Sequence, residues 1–500
     1  MKSFLICRVA ILASTLAAAM PLVAQTPESC DPTGNVSGTV GRATLFITRA
    51  IAAVQSGDTS TRVTRDLQDV FKLLADDKTG NIVARDYILG EAYVLMLTRS
   101  GVSAVSPRGV LGLTSNPTGI VDLFASADSA FTVVEQAKPE CAALIRQWRQ
   151  QKPWLNMLNS AINALNAGQL DSAEVFAKRS LLLDRHAPYA YSVLGSIAVQ
   201  RKDLATASDY WNKALAAATK DTLYNDVRVK TMFDIASAMT ERANAATGPD
   251  KRTLARNAIK TWQDYLAVAT SDYLIADAID RLEQLYRAAG DSASVSTLYA
   301  PILANPSKYG ELSLVHAGVV ATRAGRAADA AKLFEASLAV NPYSRDALNN
   351  LAASYIQLQQ SQSAFPLIDR LVALDPSNPD NVLLYAFGYQ GLYKATKDKK
   401  ILKTYTDSLI YFNARSENMP VRLAITEFSR GDNQTTLGGT IENRSAAAKT
   451  YVLSVDFLDK SGAAIATQDV SVQVAPKATG KFRVTVPKGG VYGFRYKPLS

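Results

Sequence analysis

Four residues, Ala330, Phe334, Ser337 and Pro342, are followed by Ala364, Ile368, Leu371 and Pro376, and each difference (364−330, 368−334, 371−337, 376−342) is 34. A register kept through a proline is a strong constraint. Proline has no N–H to donate and ends a helix, so each period has to be a closed unit of two short helices and a turn. Gly318 and Ala352 on the first helices and Ala330 and Ala364 on the second let the two axes approach, while Phe334 and Ile368 fill the space one turn later. One such pair cannot bury its own apolar stripe, but stacked copies can. An ordinary alanine-rich bundle has no reason to hold this period.

The second copy opens with Leu348-Asn349-Asn350-Leu351-Ala352-Ala353-Ser354-Tyr355, which resembles the first helix of a tetratricopeptide repeat (TPR). The resemblance implies a mainly α chain, a TPR-like α-solenoid of antiparallel helix pairs, and a surface that binds other proteins. Carried backward, the register pairs Leu170, Ala173 and Ala177 with Leu204, Ala207 and Trp211, giving two repeats from Trp154 to Ala187 and from Pro188 to Asp221. Between Asp221 and Glu311 it fails, because 330−207 is 123 and three repeats need 102. Helices over Val227–Ala243, Leu254–Val268, Leu274–Ala288 and Val295–Leu303 are expected there as divergent repeats, with Asp291-Ser292-Ala293 the best internal echo of Asp171-Ser172-Ala173.

Nearer the N-terminus, helical patterns cover Thr39–Val54, Thr61–Leu74 and Val83–Thr98. The third contains Leu89-Gly90-Glu91-Ala92-Tyr93, the L-G-x-x-Y arrangement of a first repeat helix. Its partner is expected to open at Asp128-Ser129-Ala130, after a Gly-, Ser- and Pro-rich insertion (about 100–118). Such an insertion is either functional or a tolerated flexible loop; with Val105, Val110, Leu111 and Leu113 in it, this one covers a surface or lies across a groove. After Pro376 one more first helix fits, and a polar helix from Lys400 to Asn413 suits a terminal cap.

The period then switches from helical to alternating. Six short runs (Val421–Ile425, Leu437–Ile441, Tyr451–Phe457, Val470–Val474, Phe482–Val486, Tyr492–Tyr496) are separated by turn signals such as Asp459-Lys460-Ser461-Gly462, which predicts a small all-β antiparallel sandwich. Gly438-Gly439-Thr440-Ile441-Glu442-Asn443 followed by Leu453–Asp459 resembles the FxLYD-like sandwiches of exported bacterial proteins. The expected division is a signal peptide at 1–24, an N-terminal helical region at 25–152, the solenoid at 153–414 and the sandwich at 415–500.

Met1-Lys2, Arg8 and the apolar run Val9–Val23 before Ala24-Gln25 read as a cleaved leader, so a periplasmic or secreted protein is expected, with no transmembrane segment. Cleavage removes Cys7 and leaves Cys30 and Cys141, which in an oxidising compartment most simply pair. The net charge of +9, or +7 without Lys2 and Arg8, is spread along the chain except at Lys397-Asp398-Lys399-Lys400, and the basic stripe with interleaved aromatics that marks a nucleic-acid binder is missing.

Catalytic and cofactor signatures are absent as motifs: no Walker loop, G-x-G-x-x-G, G-x-S-x-G or HExxH occurs. The two histidines, His186 and His316, lack a second imidazole at metal spacing, and Asp76–Asn81 is a poor calcium loop. No cofactor or metal is expected. The TPR resemblance implies instead a concave groove lined by first-helix positions: Asp346, Asn349, Ala353 and Ile356, preceded by Leu312, Val315, Val319 and Thr322, and followed by Asp380, Leu383, Phe387 and Gln390. Tyr189, Ser192, Ser196 and Val199 hold the same places in the earlier pair. The basic cluster of carboxylate-clamp chaperone partners is not among them. Asn349 has the donor and acceptor to hold a peptide backbone, although each position could instead contact the neighbouring repeat. The expectation is a non-catalytic scaffold binding a protein or peptide segment; an accessory subunit of an envelope or polysaccharide enzyme and a structural surface component are the alternatives.

Overall fold

The structure is a computed structural model that describes residues 30–75, 81–219 and 222–499. The leader and the poor calcium loop at 76–80 lie outside these residues. The chain forms two compact units, one ending at Ala238 and one beginning at Met239, and the division falls inside a helix.

The first unit opens with α1 (Gly38–Gln55), α2 (Thr61–Leu74) and α3 (Ile82–Met96), close to the three helical patterns. A two-stranded hairpin of β1 (Val105–Pro107) and β2 (Ile120–Asp122) follows, then α4 (Leu123–Ala137), α5 (Ala142–Arg149), α6 (Lys152–Asn166), α7 (Leu170–Leu183), α8 (Tyr189–Gln200), α9 (Leu204–Ala218) and α10 (Asn225–Ala245), in which the division falls. α3 packs with α4, α6 with α7 and α8 with α9.

Small-to-large contacts lock these pairs. A Cβ built on Gly90 would lie 2.4 Å from the Phe131 ring, and one on Gly195 2.4 Å from the Trp211 indole. In the second unit Gly318 meets Phe334 in the same way, at 2.5 Å. The spacing is 16 for both 211−195 and 334−318, but 41 for 131−90, so the first repeat carries 25 additional residues between its helices. Gly318→Val is expected to destabilise the second unit by about 1–3 kcal/mol through overpacking, read by urea denaturation. Phe334→Leu in the same chain should recover part of the loss.

The insertion is a cover over α2. Leu111 and Leu113 are buried in the first unit's core, the Gln68 amide donates to the Val110 carbonyl at 3.1 Å, and Gly112, with φ of 76°, passes within contact of Gln68 and Lys72. The second helix of that repeat does not open at Asp128. It starts at Leu123, because Asp122 accepts the Phe124 and Ala125 N–H groups and caps it. Asp128 is instead bound to Arg149 at 2.8 Å and to Arg185.

Cys30 and Cys141 form a disulfide with their Cα atoms 5.1 Å apart. Glu91, directly after the Leu89-Gly90 pair, is 4 % exposed. Its side-chain partner is the Tyr87 hydroxyl, which accepts the Trp148 indole N–H at 3.2 Å. With so little polar company, burial pushes the Glu91 carboxyl up to about 8.

In the second unit α11 (Gly248–Leu266), α12 (Asp272–Ala288) and α13 (Val295–Ala304) fill the stretch where the register fails, followed by α14 (Glu311–Arg323), α15 (Ala327–Val340), α16 (Arg345–Gln357), α17 (Ser361–Leu374), α18 (Pro379–Ala395) and α19 (Lys399–Glu417). Both α15 and α17 stop at Asn341 and Asp375, one residue before Pro342 and Pro376. α19 closes the helical stack on α18, where Phe412 stacks on Tyr385 and Tyr389, and its outer face carries exposed apolar as well as polar side chains. Ser416 is its one buried residue, and Ile401, Ile410 and Tyr411 are exposed.

The sandwich consists of β3 (Val421–Arg430), β4 (Thr435–Asn443), β5 (Lys449–Leu458), β6 (Ala464–Val474), β7 (Thr479–Val486) and β8 (Gly493–Tyr496). They make two antiparallel sheets, β3-β4-β7 and β6-β5-β8. Alternating Leu437, Ile441, Leu453, Val455, Phe457 and Val484 form its core. Edge strands β3 and β8 meet the helical repeats, which manages two edges that would otherwise stay open. Leu423 N–H donates to the Ser377 carbonyl at 2.9 Å, the Tyr496 hydroxyl and Arg345 bind the fully buried Asp375, and Asn341 donates to the Tyr492 carbonyl at 2.8 Å. The two residues preceding the repeat prolines therefore hold the sandwich.

Candidate functional site: the inner row of first helices

Helices α14, α16 and α18 repeat at 34-residue spacing, so Val315, Asn349 and Leu383 are equivalent positions (349−315 and 383−349 are both 34). Equivalent does not mean equally open. Val315 is buried, whereas Asn349 and Leu383 are half-buried. The rows beside them, Leu312–Asp346–Asp380, Val319–Ala353–Phe387 and Thr322–Ile356–Gln390, are half-buried or exposed throughout. Phe387 is 46 % exposed, an uncommon state for a phenylalanine on a helix with buried neighbours on both sides.

Three expected positions are taken by neighbouring elements. Asp380 pairs with Arg422 of β3, so the sandwich closes that end of its row. Ser192 is buried and its Oγ accepts from the Thr231 hydroxyl of α10 at 3.2 Å. Tyr189 packs edge-on against Trp154 and Tyr224, with ring centroids 6.3 and 5.8 Å away, and its hydroxyl donates to Asp226 at 3.4 Å. Ser196 donates back to the Ser192 carbonyl at 3.2 Å, and Val199 packs beside Ala198 and Trp211. In the earlier pair, then, α10 and the segment leading into it cover part of the row.

In the later repeats the row stays open. The Asn349 carboxamide makes no hydrogen bond among the described residues, and half-buried Val319, Ile356 and Leu383 with exposed Ala353 and Phe387 lie around it in the register. Its amide can donate to one backbone carbonyl and accept from one N–H, the pairing an extended chain offers.

Sequence reasoning missed the polar neighbour of this row. His316 on α14 bonds through Nδ1 to Asp280 of α12 at 2.8 Å. That hydrogen bond raises the imidazole above 6.5, burial opposes it, and the charges of Asp280, Asp346 and Asp272 add to the rise. The 36-residue offset between Asp280 and His316 breaks the 34-residue period, which is why the register did not find the pair. A folded value above the unfolded one contributes stability that is complete below pH 6.5 and is lost as pH rises through the folded value. In an NMR titration the His316 midpoint should lie above 6.5 and fall in Asp280→Asn.

Among the described residues no group of His, Cys, Asp and Glu is placed to hold a metal ion, and no helix is long and apolar enough to cross a membrane. A 590 Å³ cleft lies at the seam between α17 and the sandwich, lined by Val372, Pro376, Asp456, Arg495 and Tyr496. Its arginine is already paired with Asp456 at 3.1 Å.

No protein-family model matches the chain, and no curated protein does. Solved structures show a weak likeness to about half of the chain. A TPR repeat-containing protein of Cytophaga hutchinsonii is 16 % identical, with 52 % of this chain and 93 % of that one covered at a TM-score of 0.31. A Parabacteroides merdae TPR protein is 15 % identical over 51 % and 98 % at 0.28, and Pseudomonas aeruginosa PilF is 14 % identical over 52 % and 97 % at 0.24. At these scores the overlays carry no argument about function. The TPR-like assignment rests on the register, the proline-terminated pairs and the glycine–aromatic locks.

Proposed function

We propose that the protein is an exported, non-catalytic interaction scaffold that holds an extended segment of a partner protein along the inner row of α14, α16 and α18. The observation that carries this reading is the open part of the row: an unbonded Asn349 carboxamide with half-buried Leu383 one repeat on and half-buried Val319 and Ile356 in the rows beside it, while Val315 one repeat back is buried. Recognition would combine backbone hydrogen bonds from Asn349 with side-chain contacts to Ile356, Leu383 and Phe387. Export is supported by the basic-then-apolar leader and by the Cys30–Cys141 disulfide. The sandwich, FxLYD-like in its Gly438–Asn443 and Leu453–Asp459 runs, serves as a fixed end to the groove, since Arg422 reaches Asp380.

The test is selection of a displayed random-peptide library on the full chain, followed by affinity measurement on Asn349→Ala and Phe387→Ala. Each variant should lose about tenfold or more in affinity, as loss of a buried anchor does. Peptides that bind both variants as tightly as the parent would overturn the groove.

A further inference from the structure

The corner where α18 turns into α19 carries the chain's densest run of positive charge, and the inner row does not use it. Lys394, Lys397, Lys399, Lys400 and Lys403 fall within ten residues, with Asp398 the one acidic residue among them. All five lysines are exposed. Lys403 pairs with Asp407 at 2.9 Å; Lys394, Lys397, Lys399 and Lys400 have no ion pair among the described residues. Asp398 is occupied as the helix cap, accepting the Lys400 N–H at 2.9 Å.

Beside these charges lie apolar side chains that a terminal repeat helix has no reason to expose. Tyr393 and Ile401 flank the lysines, 44 % and 40 % exposed, and Ile410 and Tyr411 farther along α19 are each 58 % exposed. Isolated exposed hydrophobes need no explanation. Two within a run of unpaired lysines, Tyr393 and Ile401, do; Ile410 and Tyr411 lie beyond the run, Ile410 nine residues from Ile401 and so on the other side of α19.

We propose that this corner docks on an anionic lipid surface. Charge complementarity selects the occupant, and the residue types narrow it. Every cation in the run is a lysine, a point charge on a flexible stem, where bidentate recognition of one carboxylate or phosphate group would favour arginine. Lysines suit a diffuse field of headgroups, and their stems let tyrosine and isoleucine settle at the interface while the ammonium groups stay in water.

The experiment is co-sedimentation of the full chain with phosphatidylcholine vesicles, with and without phosphatidylglycerol. Three variants accompany it: Lys397→Glu/Lys399→Glu/Lys400→Glu, Tyr393→Ser/Ile401→Ser, and Arg252→Glu/Arg256→Glu/Lys260→Glu on α11, which changes the net charge equally elsewhere. The parent and the α11 variant should bind only the phosphatidylglycerol vesicles. The lysine variant should lose about tenfold or more of that binding, and the Tyr393/Ile401 variant a smaller part, both with unchanged melting. The substitutions are exposed, and acidic residues suit the first turn of α19. Equal loss in the α11 variant would reduce the effect to net charge and overturn the proposal. So would equal binding to neutral vesicles, or binding to soluble polyglutamate that the Tyr393/Ile401 variant leaves intact, which would assign the corner to an acidic protein.

Discussion

Wild-type stability should fall steadily between pH 4.5 and 8, and the Glu91→Gln variant should not share that fall. The carboxyl of Glu91 sits in the first unit's core, and burial raises it from 4.5 to about 8. Below pH 4.5 the acid is protonated in both folded and unfolded chains and contributes no pH dependence. Between the two values the unfolded chain ionises while the native core keeps its proton. Stability then drops by about 1.4 kcal/mol per pH unit, on the order of 5 kcal/mol across the window, and the loss is complete above pH 8. Glutamine has the shape and hydrogen-bonding capacity of the protonated acid. Urea denaturation should therefore find the variant close to wild type at pH 4.5 and clearly more stable at pH 8.5. His316 adds a fall of the same sign in both chains, so the difference between the two chains isolates Glu91. Parallel curves would show that Glu91 is ionised in the native core.

Reduction of the Cys30–Cys141 disulfide should have an effect of similar size. The bridge ties the first described residue to the short turn before α5 and closes a separation of 111 residues. Loop-closure entropy alone gives about 4.7 kcal/mol for a loop near 100 residues, and measured losses are typically about 2–4. Cys141 is fully buried and Cys30 nearly so, so a double serine variant also buries a hydroxyl. Cys30→Ala/Cys141→Ala is the cleaner comparison. It should melt earlier than wild type in the absence of reductant and match reduced wild type in its presence. An oxidised wild type no more stable than the variant would show that the bridge adds nothing.

Much of this architecture was legible because local signals and tertiary packing agree. Pro342 and Pro376 fall two residues after the last helical residues Val340 and Leu374, in keeping with proline's missing N–H, although Pro366 is accommodated inside α17, and Gly90, Gly195 and Gly318 are small because an aromatic ring occupies the space a side chain would need. Alternation from Val421 onward marks strands for the same reason: one face is buried. What the sequence concealed are contacts between distant residues. Asn341 and Asp375 look like ordinary pre-proline turn residues, and nothing near them in sequence says that Tyr492 and Tyr496 will be their partners. Asp128 resembles the helix-opening Asp171, but Asp122 is better placed to cap. The inner row is a mixed case. Its positions follow from the register, but that Ser192 is closed by Thr231 and Asp380 by Arg422 depends on elements outside the repeat.

The claim at the centre of this account is that the row around Asn349 is a binding groove, and Ala353→Arg tests it most directly. Ala353 is exposed on α16, four residues after Asn349, so arginine there should fill the groove without entering the core. The affinity of a selected peptide should fall by about tenfold or more while the melting curve stays that of the parent. A peptide that binds Ala353→Arg with unchanged affinity would place the binding surface somewhere other than the inner row.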